Sequence, residues 1–359
     1  MRIFLSCHGA SLYGGERVLL ALARGFSDRG HEVLLEFPHD GPAVAVARAI
    51  AGIRVWISER PRLPRNVREF LAYVLGIPGA LRVLVRGIRR ERPDVVWVNS
   101  LYNPLAALAA RWTGTPVVWH LHERNFPGVL GRVYSSLMRM TSDRCVAVSE
   151  FVASTVTLSD HRIHVVHNAL LERIEPHEPG RERTHFTIGY VGQLERLKRV
   201  LDLLEAVATL PDTRLLLVGD GKDRRRTERA ITRLRLGDRV RLLGFQPDVR
   251  PFLREMDCLV VPSGVEAFGL VAAEAMAAGL PVVAARGGAI PEVLGDAALY
   301  YSPGDVAGLA AQIGRLASDA RLAASLREQG LRRVERFSLE RMIDQAIEIA
   351  RDVRRSRAC

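Results

Sequence analysis

Glu266 and Glu274 stand eight positions apart in Pro262-Ser-Gly-Val-Glu266-Ala-Phe268-Gly269-Leu270-Val-Ala-Ala-Glu274-Ala-Met-Ala-Ala-Gly279. The apolar run 258–261 reads as a buried strand closed by Pro262, and 270–278 are helix formers stopped by Gly279. Glu266 therefore falls in a strand-to-helix turn and Glu274 about one turn inside the helix. Two carboxylates so placed can accept hydrogen bonds from hydroxyls in a crevice above a sheet. The first N–H groups of the helix, near Phe268, Gly269 and Leu270, point at the same crevice, where a diphosphate would suit them. A solvated loop Glu followed by a Glu on the outer face of a helix would show the same spacing, so neighbouring residues must decide.

Arginine is the default cation of the chain, which has only two lysines, Lys198 and Lys222. Each follows a glycine-containing segment after a predicted strand. In Gly192-Gln-Leu-Glu-Arg196-Leu-Lys198 the two cations could reach a pyrophosphate, or form a solvated basic helix start. Gly219-Asp-Gly221-Lys222 either lines a nucleotide or makes a tight βα turn. Near the start, Gly14 and Gly15 lead into a helix predicted over 17–26, where backbone amides can approach an anion. A tight turn explains paired glycines equally well, and the spacing is not the dinucleotide fingerprint. His120, His122 and Glu123 close the run 117–119; a histidine there can donate to a sugar hydroxyl or serve structure alone. His-x-His-Glu also raises zinc, but no third ligand has suitable spacing, so no metal is expected. Gly287-Gly288 before Pro291-Glu292 is a flexible turn that structure alone could require.

These residues need strands to present them. Short apolar runs at 3–6, 33–37, 95–98, 117–119, 146–148 and 165–166 alternate with helical patterns, then again at 186–191, 215–218, 240–243, 258–261, 282–285 and 299–301. This is the rhythm of parallel βαβ units. The polar stretch 172–184, with two prolines and a glycine, reads as a linker, and 359 residues suffice for two domains. Hydrophobic content of 48% with 25% charged residues excludes a disordered or fibrous chain. No apolar run is long enough for a membrane span, and the first is too short for a secretory signal, so a cytoplasmic protein is expected. Cys7, Cys145, Cys258 and Cys359 are widely spaced, which favours buried thiols over disulfides or metal. A net charge of +11 prompts a nucleic-acid reading, but the arginines are dispersed, aromatics are 6%, and no nucleic-acid module appears. Between Arg60 and Arg92, including Arg62, Arg65 and Arg68, arginines interleave with apolar stretches from Phe70 and Leu81. Such a surface can dock on anionic lipid, or be a core helix with a solvated edge.

In order, Gly14-Gly15-Glu16, His122-Glu123, Gly192 with Lys198, Gly219-Asp220-Gly221, Gly244-Phe245, Glu266-x7-Glu274, Gly287-Gly288 and Pro291-Glu292 resemble glycosyltransferase family 4, also called group 1, over nearly the whole chain. The resemblance implies an α/β GT-B fold: two doubly wound Rossmann-like parallel-sheet domains facing a central cleft. It implies an acceptor domain at 1–171, a linker at 172–184, a donor domain at 185–338, and a C-terminal helix with basic tail at 339–359 packing back toward the first domain. It further implies a retaining, metal-independent hexosyl transfer from a UDP- or GDP-sugar, with no cofactor. By the same resemblance, Glu274 bonds the ribose, Glu266 lies by the donor sugar, and His122 faces that sugar. Phe268, Gly269 and Leu270 offer amides to the diphosphate, Lys198 neutralises it, and Gly15 allows close approach. Gly14, Gly192, Arg196, Gly219, Gly221 and Phe245 complete the expected donor contacts. The acceptor would be a glycan, lipid-linked or small-molecule hydroxyl, with an anionic membrane surface as a further partner and no nucleic acid. Gln193 replaces the family's usual Arg, and Ala267 its usual Gly. Loss of that Arg keeps one alternative open: a nucleotide-sugar-binding protein with impaired turnover.

Overall fold

The structure, a computed structural model, describes residues 1–60, 67–176 and 185–356. Arg62 and Arg65, linker positions 177–184 and the tail residues Arg357 and Cys359 lie outside the described residues, as do the side chains of Arg68 and Phe70. The chain divides into two compact units, Met1–Leu171 with Leu339–Cys359, and Glu172–Ser338. No helix among the described residues is long and apolar enough to cross a membrane.

In the first unit, β1 (Arg2–Ser6), β2 (Glu32–Phe37), β3 (Ile53–Ile57), β4 (Val95–Asn99), β5 (Val117–Leu121), β6 (Arg144–Ala147) and β7 (Ile163–Val165) form one sheet. Its order is β3-β2-β1-β4-β5-β6-β7, and every pairing is parallel. β4 and β5 are buried at every position, as strands with helices on both faces must be. Strand β3 is missing from the apolar runs of the sequence. It is an edge strand in which the exposed Arg54, 2.6 Å from Glu91, interrupts the apolar residues and leaves only the short run 55–57 to mark it.

Helix Leu339–Ser356 belongs to this unit. It buries Met342, Ile343, Ala346, Ile347, Ala350 and Val353 and packs on helix Gly14–Asp28. Gly25 admits it, since a Cβ there would lie 2.3 Å from Ile343 Cδ1. Arg29–Asp344 at 2.9 Å and Arg144–Asp352 at 2.7 Å flank the contact.

A charged pair is buried at the carboxyl ends of β1 to β3. Glu36, wholly inaccessible, accepts from Arg60 Nε at 3.0 Å and Nη2 at 2.9 Å, and from the hydroxyls of Ser6 and Ser58. Arg60 also donates to Asn103 Oδ1 and to the Cys7 carbonyl, both at 2.9 Å. Arg60 therefore leaves the basic surface suggested by the run from Arg60 to Arg92: at 9% exposure it is a core cation.

The second unit holds β8 (Phe186–Val191), β9 (Thr213–Val218), β10 (Val240–Leu242), β11 (Cys258–Val261), β12 (Val282–Ala285) and β13 (Ala298–Tyr301), in the order β10-β9-β8-β11-β12-β13 and again parallel throughout. Ile188, Leu215, Leu217, Val260 and Val283 share its core with residues of helices Val200–Ala208 and Val306–Ser318. Strand order reverses between β1 and β4 in one sheet and between β8 and β11 in the other. Such switch points open a crevice beyond the carboxyl ends of the strands. Cys7, Cys145 and Cys258 are free and buried.

Candidate active site

The switch point of the second unit brings Lys198 to Glu266. Lys198 ends the short 3₁₀ turn Arg196–Lys198 after β8, and Glu266 stands in the turn after β11. Lys198 Nζ donates to Glu266 Oε1 at 2.7 Å and Oε2 at 2.9 Å, with the carboxylate side chain 15% exposed. This ion pair joins residues 68 positions apart in the chain. Arg199, next in sequence, takes a left-handed φ of 52° and bonds Asp202 at 2.8 Å, fixing the exit from the turn.

Backbone from the loop after β12 holds Glu266 from behind. Ala289 N–H donates to the Glu266 carbonyl at 2.8 Å, and Gly288, at φ 59°, comes so near that a Cβ would lie 2.3 Å from that oxygen. Packing therefore requires glycine at 288, since a side chain there would push Glu266 off Lys198. Gly288→Ala is expected to lower kcat about 10- to 100-fold by displacing Glu266. Steady-state kinetics check this; a kcat within about threefold of the parent's would oppose the buttress.

Helix Leu270–Ala277 begins at Gly269, φ 95°, with no side-chain cap on its first amides. The Phe268 ring is buried edge-on against Phe337 at 5.3 Å, which anchors this turn. Glu274 is 7% exposed on the same helix.

The other loops pack closely. Gly219 N–H donates to the Gly244 carbonyl at 2.8 Å, and a Cβ on Gly219 would lie 1.8 Å from the Gly192 carbonyl. A Cβ on Gly221 would lie 2.4 Å from the Leu194 carbonyl. These approaches require glycine with or without a ligand. Phe245, beside Gly244, is 55% exposed. The Gln193 carbonyl accepts from the buried Tyr190 hydroxyl at 2.7 Å. Arg196 is exposed and lines a recess with Asp223 and Arg226, while Lys222 is 87% exposed and 3.8 Å from Glu195. Of the expected cations, the structure brings Lys198 to a glutamate of the crevice, while Arg196 and Lys222 make no bond to Glu266 or Glu274 among the contacts described.

In the first unit, His122 Nε2 lies 2.7 Å from Asn99 Oδ1, and the His120 ring lies 4.1 Å from its own. Burial, then His120 and His8, hold His122 well below the ordinary histidine value, so it is neutral and donates one proton to Asn99. Gly14 and Gly15 are the first residues of helix Gly14–Asp28 and have no positive φ. Gly15 faces His122, and a Cβ there would sit 3.5 Å from its ring, an ordinary contact. The helix thus starts earlier than 17–26, and its glycines are helical residues. Glu123, raised by burial, accepts from Ser100 Oγ at 2.8 Å and Leu101 N at 3.2 Å. Glu16, 3% exposed, accepts from Ser11 Oγ at 3.0 Å. Cys7, His8 and Glu16 place one potential ligand atom each within 4.8 Å of one another, but burial and Glu16 push the Cys7 thiol upward, keeping it protonated. Asn99 and Ser100 join this cluster although sequence reasoning does not reach them. Their signal is a polar pair ending the otherwise apolar Val95–Asn99 run, and Ser100 adopts a left-handed φ of 76°.

His120 gives this unit an acid dependence. Burial holds its folded imidazole at about 3, below the ordinary value near 6.5. As pH falls through about 6.5, the unfolded chain binds the proton first, so stability falls by about 1.4 kcal/mol per pH unit. Denaturant titrations at about pH 7 and about pH 5.5 are expected to show this loss, and His120→Leu to remove part of it. An unchanged pH slope in that variant would oppose the assignment.

Two parallel, doubly wound sheets, with charged and glycine-rich loops at their carboxyl ends, define the GT-B class of α/β protein. The chain belongs to the group 1, family 4 glycosyltransferases: the family described as Glycosyl transferases group 1 matches residues 172–333 and Glycosyltransferase Family 4 matches residues 13–170. It is 29% identical to N-acetyl-alpha-D-glucosaminyl L-malate synthase of Bacillus anthracis, over 99% of this chain and 98% of that protein. It is 32% identical to MMP alpha-(1->4)-mannosyltransferase of Mycolicibacterium hassiacum, over 70% of this chain and 64% of that one. The crystal structure of Anabaena HepE in complex with UDP-glucose has the same fold, with a TM-score of 0.84 at 23% identity, covering 98% of this chain and 100% of that one.

Proposed function

We propose that this glycosyltransferase moves a hexose from a nucleoside-diphosphate sugar to a hydroxyl acceptor with retention at the anomeric carbon. The Lys198–Glu266 pair at the β8/β11 switch point carries the reading. Expulsion of the nucleoside diphosphate is the hard step, and charge developing on it is best met by preorganised donors. Lys198 and the uncapped amides of helix Leu270–Ala277 are such donors, of fixed position and complementary sign. Without donor, Glu266 holds the ammonium in place. With donor, the ammonium turns to the diphosphate and Glu266 becomes free to accept a sugar hydroxyl. Glu274 is the proposed ribose ligand. Retention follows from attack on the face the diphosphate leaves, with a diphosphate oxygen taking the acceptor proton. In the first unit, the Asn99-bound His122 is neutral and can meet a sugar hydroxyl.

Lysine and amides take the charge-neutralising part, so the reaction is proposed to need no divalent metal. HepE, crystallised with UDP-glucose, makes UDP-sugars the first donors to test. The acceptor is proposed to be a sugar or polyol hydroxyl, lipid-linked in one version. Gln193 supports a second reading, a binding protein with little turnover. One experiment separates them: nucleotide-sugar consumption by the purified chain in EDTA, with a thermal-shift screen of UDP- and GDP-sugars. Release of nucleoside diphosphate supports the enzyme. A stabilising donor that is never consumed with any hydroxyl acceptor supports the binder, and absence of stabilisation by every nucleotide sugar overturns both.

A further inference from the structure

Helix Gly128–Thr141 is inside out. It buries Gly131, Ser135, Met138 and Thr141, while Val129, Leu130, Val133 and Met140 are exposed by 67, 50, 56 and 72%. An amphipathic helix ordinarily turns its apolar side to the core. Here polar and steric fit hold the opposite face inward. Asn125 Nδ2 donates to the Gly131 carbonyl and to Ser135 Oγ, both at 3.0 Å, and Ser135 Oγ accepts from Thr157 N at 3.2 Å. A Cβ on Gly131 would lie 1.9 Å from the Phe126 carbonyl. Rotation to bury the valines would break these bonds and drive Val133 or Arg132 into the place only glycine fits.

The outward face is also cationic. Arg132 and Arg139 are exposed among the apolar side chains. Helix Gly128–Thr141 packs beside Pro104–Trp112, and that beside Val67–Glu91. Trp112 is 71% and Leu75 81% exposed, with Arg82, Arg86 and Arg111 exposed on the same helices. Among the described side chains these three helices show no exposed carboxylate, for Glu91 is buried. Exposed aliphatic and indole groups interleaved with arginine, unbalanced by acid, complement a surface that is apolar beneath and anionic above.

We propose that this face of the first unit docks on an anionic phospholipid bilayer, Val129, Leu130, Val133 and Met140 entering the headgroup layer while the arginines pair with phosphates. The docking is independent of the donor reading: loss of nucleotide-sugar turnover would leave it standing. It removes the buried Arg60 from the expected membrane contact, keeps the exposed Arg82 and Arg86, and centres the contact on helix Gly128–Thr141.

The full chain is to be sedimented with vesicles of phosphatidylcholine alone and of phosphatidylcholine with phosphatidylglycerol. Binding is expected to the mixed vesicles and to weaken with salt. The triple variant Val129→Ser, Val133→Ser, Met140→Ser is expected to bind about tenfold more weakly or worse, with its melting temperature and nucleotide-sugar binding unchanged because the replaced side chains face solvent. Arg132→Gln with Arg139→Gln is expected to reduce the preference for phosphatidylglycerol. Failure to sediment with either vesicle overturns the proposal, as does binding that the triple variant retains in full. Light scattering that finds a dimer dispersed by the triple variant, with no vesicle binding, would assign the face to a second copy of the chain instead.

Discussion

Lys198→Ala is expected to lower kcat for nucleotide-sugar turnover by about 10²- to 10³-fold, the usual loss when one preorganised donor to a developing oxyanion is removed. The effect should fall more on kcat than on KM. Charge on the departing diphosphate grows toward the transition state, so the ammonium contributes most there. Stability should change little: removing Lys198 leaves Glu266 unpaired, but that carboxylate is 15% exposed and water can reach it. Lys198→Met, which keeps the aliphatic stem, should be as inactive as the alanine variant, separating charge from packing. Single-turnover and steady-state assays of both variants, with thermal melts, test this. A kcat within about threefold of the parent's would remove Lys198 from the leaving-group role.

Glu36→Ala is expected to destabilise the first unit by about 3–5 kcal/mol, because it leaves the Arg60 guanidinium buried without its counter-charge. Glu36 is wholly inaccessible and Arg60 9% exposed, so solvent cannot take over the lost contacts. Asn103 and the Cys7 carbonyl remain as acceptors for Arg60, but neither is charged. The double variant Glu36→Leu, Arg60→Met should recover most of the loss, since a buried ion pair replaced by apolar groups of similar volume is often neutral. Denaturant titration, followed by a probe in the first unit, measures both. Equal destabilisation by the single and double variants would show that shape, not charge, holds these strand ends together.

The two glutamates at 266 and 274 illustrate what can be read without coordinates. Their placement needs only a strand, a Pro, a Gly and a run of helix formers, all set by local propensity, and β11 and helix Leu270–Ala277 lie where those residues put them. Helix Gly14–Asp28 begins earlier than its sequence suggests because glycine reads as a turn, whereas here Gly15 is helical and turned to His122. Strand β3 is hard to read because Arg54 interrupts its apolar residues and the run 55–57 that remains is short and only half-buried at the sheet edge. Helix Gly128–Thr141 would pass for core by its apolar content, since sequence periodicity cannot say which face turns inward.

Strand runs by themselves determined two α/β units, because βαβ units follow local patterns, and the ordered glycine and acidic motifs carried the resemblance to group 1 that the family match bears out. Pairing was decided only in three dimensions. Lys198 meets Glu266 across 68 residues, Arg60 meets Glu36 inside the first unit, and Ser135 and Asn125 hold a helix with its apolar side outward. Each depends on which strand ends become neighbours and on how closely backbones approach, quantities that no stretch of chain carries alone.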